Sequence, residues 1–442
     1  MEYNLNNTPG EDQNGRPEGR KKDNGQGRNG RGGFLGGVFT GALLSLLFAS
    51  CVFTGRQIYT IYQMKEASEV SQTEASGVKE IVSDLTMSKL RAIEDAISSY
   101  YYKEDVDKEE MIDGMYEGVV ASLGDPYSTY YSEEDVQRLM EETEGIYYGI
   151  GAYVAMDMDT GLAHISGVID NTPAKEAGLR DGDVIYKVDE EDVQGLELSE
   201  IVSKIKGLEG TTVHLTLYRE GENDYLEFDI ERRKIESPTV NYEMYENSIG
   251  YIQITEFDDI TLDQFTEAMA VLRGQGMKGL VLDVRANPGG NLSTVTEIAR
   301  QMLPKGLIVY TEDREGKRTE YTSDGTKVFD LPLVVLINGY SASASEILAG
   351  AIKDYGLGEL VGTTTYGKGI VQRVLSLSDG TALKLTVSTY FTPKGNNIHG
   401  IGIEPDEVCE FDGDRYYEDG YDNQLERAKE IIAEKIAAAK TS

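Results

Sequence analysis

Two stretches of this chain carry residue types that could do nucleophilic chemistry. Between Leu331 and Gln372 an apolar run ends at Ile337. Asn338-Gly339-Tyr340 follows, and then Ser341-Ala342-Ser343-Ala344-Ser345-Glu346 opens a helical pattern. A serine at such a junction faces helix N–H groups that lack intrahelical partners. The dipole there also favours the negative charge that attack on a carbonyl creates. Ser343 and Glu346 are equally spaced as a capping box, which needs no chemistry. The chain has only three histidines, His164, His214 and His399, none near this serine in sequence, so a Ser-His-Asp arrangement is not the natural reading. Lys368, within Tyr366-Gly367-Lys368-Gly369, lies 25 residues after Ser343. Deprotonating an ordinary lysine (pKa about 10.4) at pH 7 costs roughly 4–5 kcal/mol, so Lys368 becomes a base only if burial lowers that value. Gln372, four residues on, is placed to accept a hydrogen bond from the amine and orient it. A solvent-exposed lysine in a glycine turn is the plain alternative. Upstream, Leu280–Val284 runs into Arg285-Ala286-Asn287-Pro288-Gly289-Gly290. That tight turn can aim a backbone N–H at a site, and it also looks like any strand-to-helix connection.

Together these segments, with Gly395 and the downstream Gly400-Ile401-Gly402-Ile403-Glu404-Pro405-Asp406, closely resemble the carboxyl-terminal processing proteases. That peptidase family includes the tail-specific protease, and the resemblance runs over about residues 86–410. It implies Ser343, the middle serine, as nucleophile, Lys368 as general base and Gln372 as its support. It implies an oxyanion hole from the N–H of Ala344 and a glycine of the NPGG turn, read as Gly289 rather than Gly290. The family's usual DLR is DVR here. The implied fold is an α/β protease core of the ClpP/crotonase-like kind. Tyr148-Gly149-Ile150-Gly151 looks like the carboxylate-binding loop of a PDZ domain, which captures a peptide C-terminus on successive backbone N–H groups. Asn171 to Asp183 (NTPAKEAGLRDGD) is similar to the family's second PDZ signature. The implied partners are protein or peptide substrates bound by their C-termini, and a second copy of the chain, a dimer formed through the helical segments. No metal or organic cofactor is called for. A PDZ scaffold on an inactive protease-like fold, binding C-termini without cutting, is the alternative.

The elements that must position these residues follow from hydrophobic period. From about residue 144 short β-rich runs alternate with Gly/Asp turns: Ala152–Met156, Ala163–Val168, Val184–Val188, Thr212–Tyr218 and Tyr225–Ile230, with a helix at Leu198–Ile205. From 235 on, apolar strands at Ile249–Ile254, Leu280–Val284, Leu307–Tyr310 and Leu333–Ile337 alternate with helical segments near 261–273, 293–303 and 344–354, an α/β pattern. Residues 86–143 read as helices up to a break at Gly124-Asp125-Pro126 and beyond it, and an Ala/Glu/Lys-rich helix begins near Asn423. His164 and His214 fall on strands of the β-rich domain and read as packed imidazoles.

The formal net charge of −35 excludes a phosphate-backbone binder, which needs clustered Lys and Arg. Residues 1–33 are rich in Gly, Asn and charge and read as a disordered arm. Residues 32–55 hold no charged side chain, and Phe34–Thr54 is 21 residues long. As a helix that run would span roughly 31 Å, close to the hydrocarbon thickness of a bilayer. Arg16, Arg20, Lys21, Lys22, Arg28 and Arg31 lie upstream of it, so the positive-inside bias leaves the N-terminus in the cytoplasm and the rest outside. A cleaved signal peptide is the competing reading, and Phe48-Ala49-Ser50-Cys51 loosely resembles a lipoprotein cleavage site. Cys51 sits in this apolar run and Cys409 far from it, which argues against an intramolecular disulfide.

The expected organisation is a cytoplasmic arm (1–33), a transmembrane helix (34–54), a stalk (55–85) and a helical region with a dimerisation role (86–139). A PDZ domain (140–234), a serine protease core (235–410) and a C-terminal helix (411–442) complete it. Protease added to intact protoplasts is expected to digest the chain after Thr54 and to spare an epitope within residues 1–30. Protection of the C-terminal domain would reverse this topology.

Overall fold

The structure, a computed structural model, describes residues 81–103 and 106–441. The apolar run 34–54, Cys51 and the arm before them lie outside the described residues. Among the described residues no helix is long and apolar enough to cross a membrane.

The chain divides into two units at Val106 and Asp107. In the first, the helix Asp84–Tyr100 is capped by Ser83, which exchanges hydrogen bonds with Thr86. None of its residues is buried, and Leu85, Leu90 and Ile93 stay exposed.

The second unit begins with the helices Lys108–Ala121 and Glu133–Glu144, joined through the Gly124-Asp125-Pro126 break and a short strand, Thr129–Tyr131, that the sequence pattern had not suggested. At the break Asp125 accepts hydrogen bonds from the Tyr127 N–H and the Ser128 hydroxyl, the turn chemistry expected of aspartate. A β-rich domain follows. Its sheet runs in the order Ala152–Met156, Ala163–Val168, Val184–Val188, Thr212–Tyr218, Leu226–Glu231. The helix Leu198–Ile205 seals its core through Ile201 and Ile205. A two-stranded ribbon of Ile146–Gly149 and Arg233–Glu236 closes the domain at its ends.

The core sheet is ordered Val240–Tyr245, Ile249–Ile254, Gly279–Asp283, Leu333–Ile337, Glu359–Gly362, Glu407–Val408. The first pair is antiparallel and the rest are parallel. Parallel neighbours require crossovers, supplied for the first three parallel pairs by the helices Thr261–Gly274, Leu292–Arg300 and Ala344–Tyr355 and for the last by the segment that holds Ile370–Ser376 and Ala382–Phe391. Every residue of the strand Leu333–Ile337 is buried. Leu333, Val335 and Ile337 pack under those helices, while Val334 and Leu336 pack against Ala428, Ile431 and Ile432 of the C-terminal helix Asn423–Thr441. Burial on both faces is why this strand reads as an unbroken apolar run.

A second sheet holds Thr129–Tyr131, Ala382–Phe391, Gly306–Asp313 and Arg318–Ser323, with Ile370–Ser376 also paired to Ala382–Phe391. The mixed polar pattern of the 370–391 hairpin gives no clear strand period in the sequence. It matters here because it carries one wall of the site.

Candidate active site

Three loops meet at the C-terminal ends of the core strands. Asn287 fixes the first. Its side chain is fully buried, with the amide donating to the Ile254 carbonyl (2.8 Å) and the Oδ1 accepting from the Gly289 N–H (2.8 Å). Its own carbonyl accepts from the Ala342 N–H and the Ser345 hydroxyl, each at 3.0 Å, which pins the NPGG turn to the serine-rich loop. The contact is close enough to demand glycine. A Cβ at Gly289 would lie 2.8 Å from the Ser343 Cβ and 3.0 Å from the Ala344 nitrogen.

The three serines are not equivalent. The Ser341 hydroxyl is buried and donates to the Val284 carbonyl (2.7 Å), and the Ser345 hydroxyl is buried and donates to the Asn287 carbonyl. Ser343 alone is half-buried and lines a cavity of about 330 Å³. Its backbone has φ 53° and ψ −112°, a left-handed conformation that costs a non-glycine residue energy.

Glu346 is the buried centre of the arrangement. Its Oε2 accepts from the backbone N–H of Ser343 (2.9 Å) and of Lys368 (2.8 Å). Its Oε1 accepts from the Gly367 N–H (2.7 Å) and the Thr365 hydroxyl (2.6 Å). The capping-box spacing read from sequence is therefore real on the Glu346 side, yet the carboxylate reaches across to a second loop. Tyr390, also buried, donates its hydroxyl to the Ser343 carbonyl (3.0 Å).

Lys368 is half-buried and lines the same cavity as Ser343 and Gln372. The glycines around it are needed for close packing. A Cβ at Gly367 would come within 2.9 Å of the Gly402 nitrogen, and one at Gly369 within 2.6 Å of the His399 nitrogen. The Gly400–Gly402 motif is thus a wall of the lysine loop. Burial pushes the Lys368 ammonium below the usual lysine range. The neighbouring charge of Lys384 pushes it the same way, and Glu346 opposes both. No hydrogen bond joins Lys368 to Ser343. The Gln372 amide donates to Thr386 at 3.4 Å, which leaves its carbonyl oxygen without a partner among the described residues.

Ala344, first residue of its helix, lines the cavity, and its N–H has no acceptor among the described residues. The N–H of Gly289, the expected companion donor, is taken by Asn287 Oδ1. Gly290 lines the cavity instead, and its N–H is without an acceptor among the described residues. Gly290 is held by bridging to Phe257, whose carbonyl accepts from the Asn291 N–H at 2.7 Å. The sequence could not separate the two glycines, since a buried side-chain oxygen decides which N–H is free. Glu346, Tyr390 and Lys384 were missed as members of the site. The available hint for Glu346 was one acid heading the run Ile347–Ile352, all of it buried.

In the β-rich domain, Tyr148 is exposed, whereas Ile150 packs into the core and offers only its backbone. The Ile150 carbonyl accepts from the Ala174 N–H and that of Gly151 from the Ile169 N–H. Gly151 has φ +82°, and a Cβ there would lie 2.3 Å from the Thr172 Cβ. Tyr148 lines a cavity of about 700 Å³ together with Val202, Ser203 and Lys206. The Lys206 ammonium pairs with Glu141 of the helix Glu133–Glu144 at 2.7 Å.

Residues 248–409 match peptidase family S41, residues 46–135 match the N-terminal domain of the activating protease CtpB, and residues 164–219 match a PDZ domain. The carboxy-terminal processing protease CtpB of Bacillus subtilis is 34% identical over 362 residues, 80% of this chain and 75% of that one. The carboxyl-terminal-processing protease of Synechocystis is 36% identical over 314 residues, 70% of this chain and 74% of that one. Among solved structures, a photosystem II D1 C-terminal processing protease aligns over 73% of this chain and 92% of its own, at 29% identity and a TM-score of 0.43.

The serine geometry makes a prediction about stability. Ser341→Ala and Ser345→Ala each remove the donor to a buried carbonyl and are expected to cost about 1–3 kcal/mol in denaturant unfolding. Ser343→Ala removes no such bond and is expected to change stability by less than about 1 kcal/mol. Equal losses at all three positions would contradict the assignment of Ser343 as the free hydroxyl.

Proposed function

The chain belongs to peptidase family S41, among the carboxy-terminal processing serine proteases with a PDZ domain, and from that premise we propose that it is a membrane-tethered endopeptidase working through a Ser343–Lys368 dyad. The observation that carries this reading is the shared cavity. Of the three serines in the motif, only Ser343 opens into the space that also holds the half-buried, pKa-depressed Lys368.

In the proposed mechanism neutral Lys368 takes the Ser343 hydroxyl proton as the Oγ attacks the scissile carbonyl. The tetrahedral oxyanion is stabilised by the N–H groups of Ala344 and Gly290. Lys368, now an ammonium, returns its proton to the leaving amine, which gives an acyl-enzyme and a new amino terminus. Water then enters and passes a proton to Lys368 while it attacks the ester. The Ser343 Oγ leaves with that proton, and the product keeps a new carboxylate. The Gln372 carbonyl, unpartnered in the structure, accepts from the Lys368 amine and aims it at Ser343. Hydrogen bonds of this kind are often unmade without substrate and close in the complex.

The PDZ loop Tyr148–Gly151 captures the substrate's C-terminal carboxylate, and the energy of that capture shifts a resting enzyme toward an aligned dyad. The run 34–54 holds the catalytic unit at the outer face of the cell membrane. The exposed apolar side chains of the helices Asp84–Tyr100 and Lys108–Ala121, among them Leu90, Ile93, Met111 and Met115, support a homodimer. Sedimentation should accordingly return the mass of two chains.

Ser343→Ala and Lys368→Ala are each expected to abolish cleavage of an unfolded protein, and the double variant is expected to be no worse than either single one. A scaffold would lose nothing through Ser343→Ala, and substantial turnover by Lys368→Ala would sink the dyad. Matched peptides with free and amidated C-termini test the PDZ reading, with the free acid cut faster. Equal rates would remove terminus recognition. Gly151 is a poor site for a blocking substitution, because the contact with Thr172 would disturb the domain itself.

A further inference from the structure

Two lysines line the catalytic cavity, and the reaction above uses one. Lys384 lies on the strand Ala382–Phe391 opposite Val374, and Thr386 lies opposite Gln372. Directly paired residues present their side chains on one face of a sheet, so Lys384 shares the face of Gln372. The Lys384 ammonium sits over the Tyr131 ring (5.2 Å) and that of Lys368 over the Tyr127 ring (5.0 Å). Neither makes an ion pair among the described residues. In a chain with 77 acidic and 42 basic side chains, two un-neutralised ammonium groups facing one cavity are a departure from the general balance.

We propose that Lys384 is a positioning residue that acts through Lys368: its fixed positive charge disfavours a second ammonium in the cavity and so keeps Lys368 as the neutral amine that can accept the Ser343 proton. This rests on the reading of Lys368 as general base. Like charges in a partly desolvated site penalise protonation of the more buried partner, a recognised way to activate a lysine.

The other charged and titratable groups around the pair do not supply that push. Glu346, below the lysine loop, stabilises the ammonium. Across the cavity stand Glu142, Glu256 and Asp258. Burial and the adjacent acids push Asp258 up to about 7, and burial with Glu142 raises Glu256. When ionised they too favour the ammonium. The Tyr127 phenol is raised by its hydrogen bond with Tyr366, and burial beside Glu346 lifts Tyr390 well above its usual range. Asp125 is lowered because hydrogen bonds from Ser128, Thr386 and Tyr127 outweigh its burial, with a further contribution from His399. Against these acids, Lys384 is the cation whose charge reinforces burial.

The sign follows directly. Removing the Lys384 charge raises the Lys368 pKa, so a smaller fraction is neutral at pH 7 and the acid limb of kcat/KM moves to higher pH. The test is the pH dependence of kcat and KM on an unfolded substrate peptide without titratable side chains, for wild type, Lys384→Gln, Lys384→Met, Lys384→Arg and Lys368→Ala. Lys384→Gln is expected to be slower by about tenfold near neutrality, mainly in kcat, and to recover on the alkaline plateau. Lys384→Arg is expected to keep the wild-type limb. Lys384→Met, which keeps an apolar stem against Tyr131, supplies a second neutral variant should Lys384→Gln fold poorly. An acid limb unmoved in a folded neutral variant overturns the proposal, and so does a rise in KM alone, which would make Lys384 a contact for the peptide. Lys368→Ala separates the two readings. If it retains the wild-type profile the base assignment falls. If it is inactive while the neutral Lys384 variants keep the wild-type limb, only the role of Lys384 falls.

Discussion

A carboxylate withdrawn from water must be met by donors, and Glu346 is met by four drawn from two separate loops. That one group sets where the Ser343 backbone stands relative to the Lys368 backbone. The demand is strict because a buried charge left with an unmet bond costs more than the bond itself contributes. Thr365 extends the net, since its hydroxyl donates to Glu346 while accepting from the Ile403 N–H at 2.7 Å. The downstream glycine motif is thereby joined to the same centre. The Ser343 loop, the Lys368 loop and the wall behind Lys368 form one hydrogen-bonded object.

This construction carries an electrostatic cost. Glu346, which holds Lys368 by its backbone, also stabilises the charged form of that lysine. Burial and the like charge of Lys384 on the neighbouring hairpin act on the same side chain in the opposite direction. The NPGG turn is governed by a different buried group. Asn287 binds Ile254 at the end of a core strand, Gly289 of its own turn and two residues of the serine loop, so the NPGG turn and the Ser343 loop are indexed to each other.

What the sequence disclosed follows the same physics. Strands such as Leu333–Ile337, apolar because both faces are covered, and the amphipathic helix Leu198–Ile205 were legible to the residue. The hairpin Ile370–Ser376 with Ala382–Phe391 was not. Gln372, Arg373, Lys384 and Thr386 interrupt its alternation, and its register depends on pairing with Thr129–Tyr131 and Gly306–Asp313 far away in the chain. Ser343, Lys368 and Gln372 were singled out by their motifs' resemblance to a family, since spacing alone left a plain cap and a plain glycine turn open. Their supports were not, because Glu346, Asn287 and Tyr390 take their roles from partners that only folding brings near. A glycine pair whose two N–H groups differ solely in which one a buried amide oxygen claims has no signature in sequence at all.

Strain makes the same point from the backbone. Ser343 at φ 53° and Ala286 at φ 56° are non-glycine residues in a left-handed conformation, on two loops that face each other. Each costs of order 1–3 kcal/mol and persists only where its surroundings over-determine it. Here the surroundings are the Asn287 and Glu346 networks, so the geometry of Ser343 belongs to three loops together. Ser343 and Lys368 share a cavity without sharing a hydrogen bond. The adjoining hairpin is paired to Thr129–Tyr131, which leads into the helix Glu133–Glu144, and Glu141 of that helix pairs with Lys206 beside the peptide loop. Strand pairing and this ion pair therefore connect the β-rich domain to the hairpin beside Lys368.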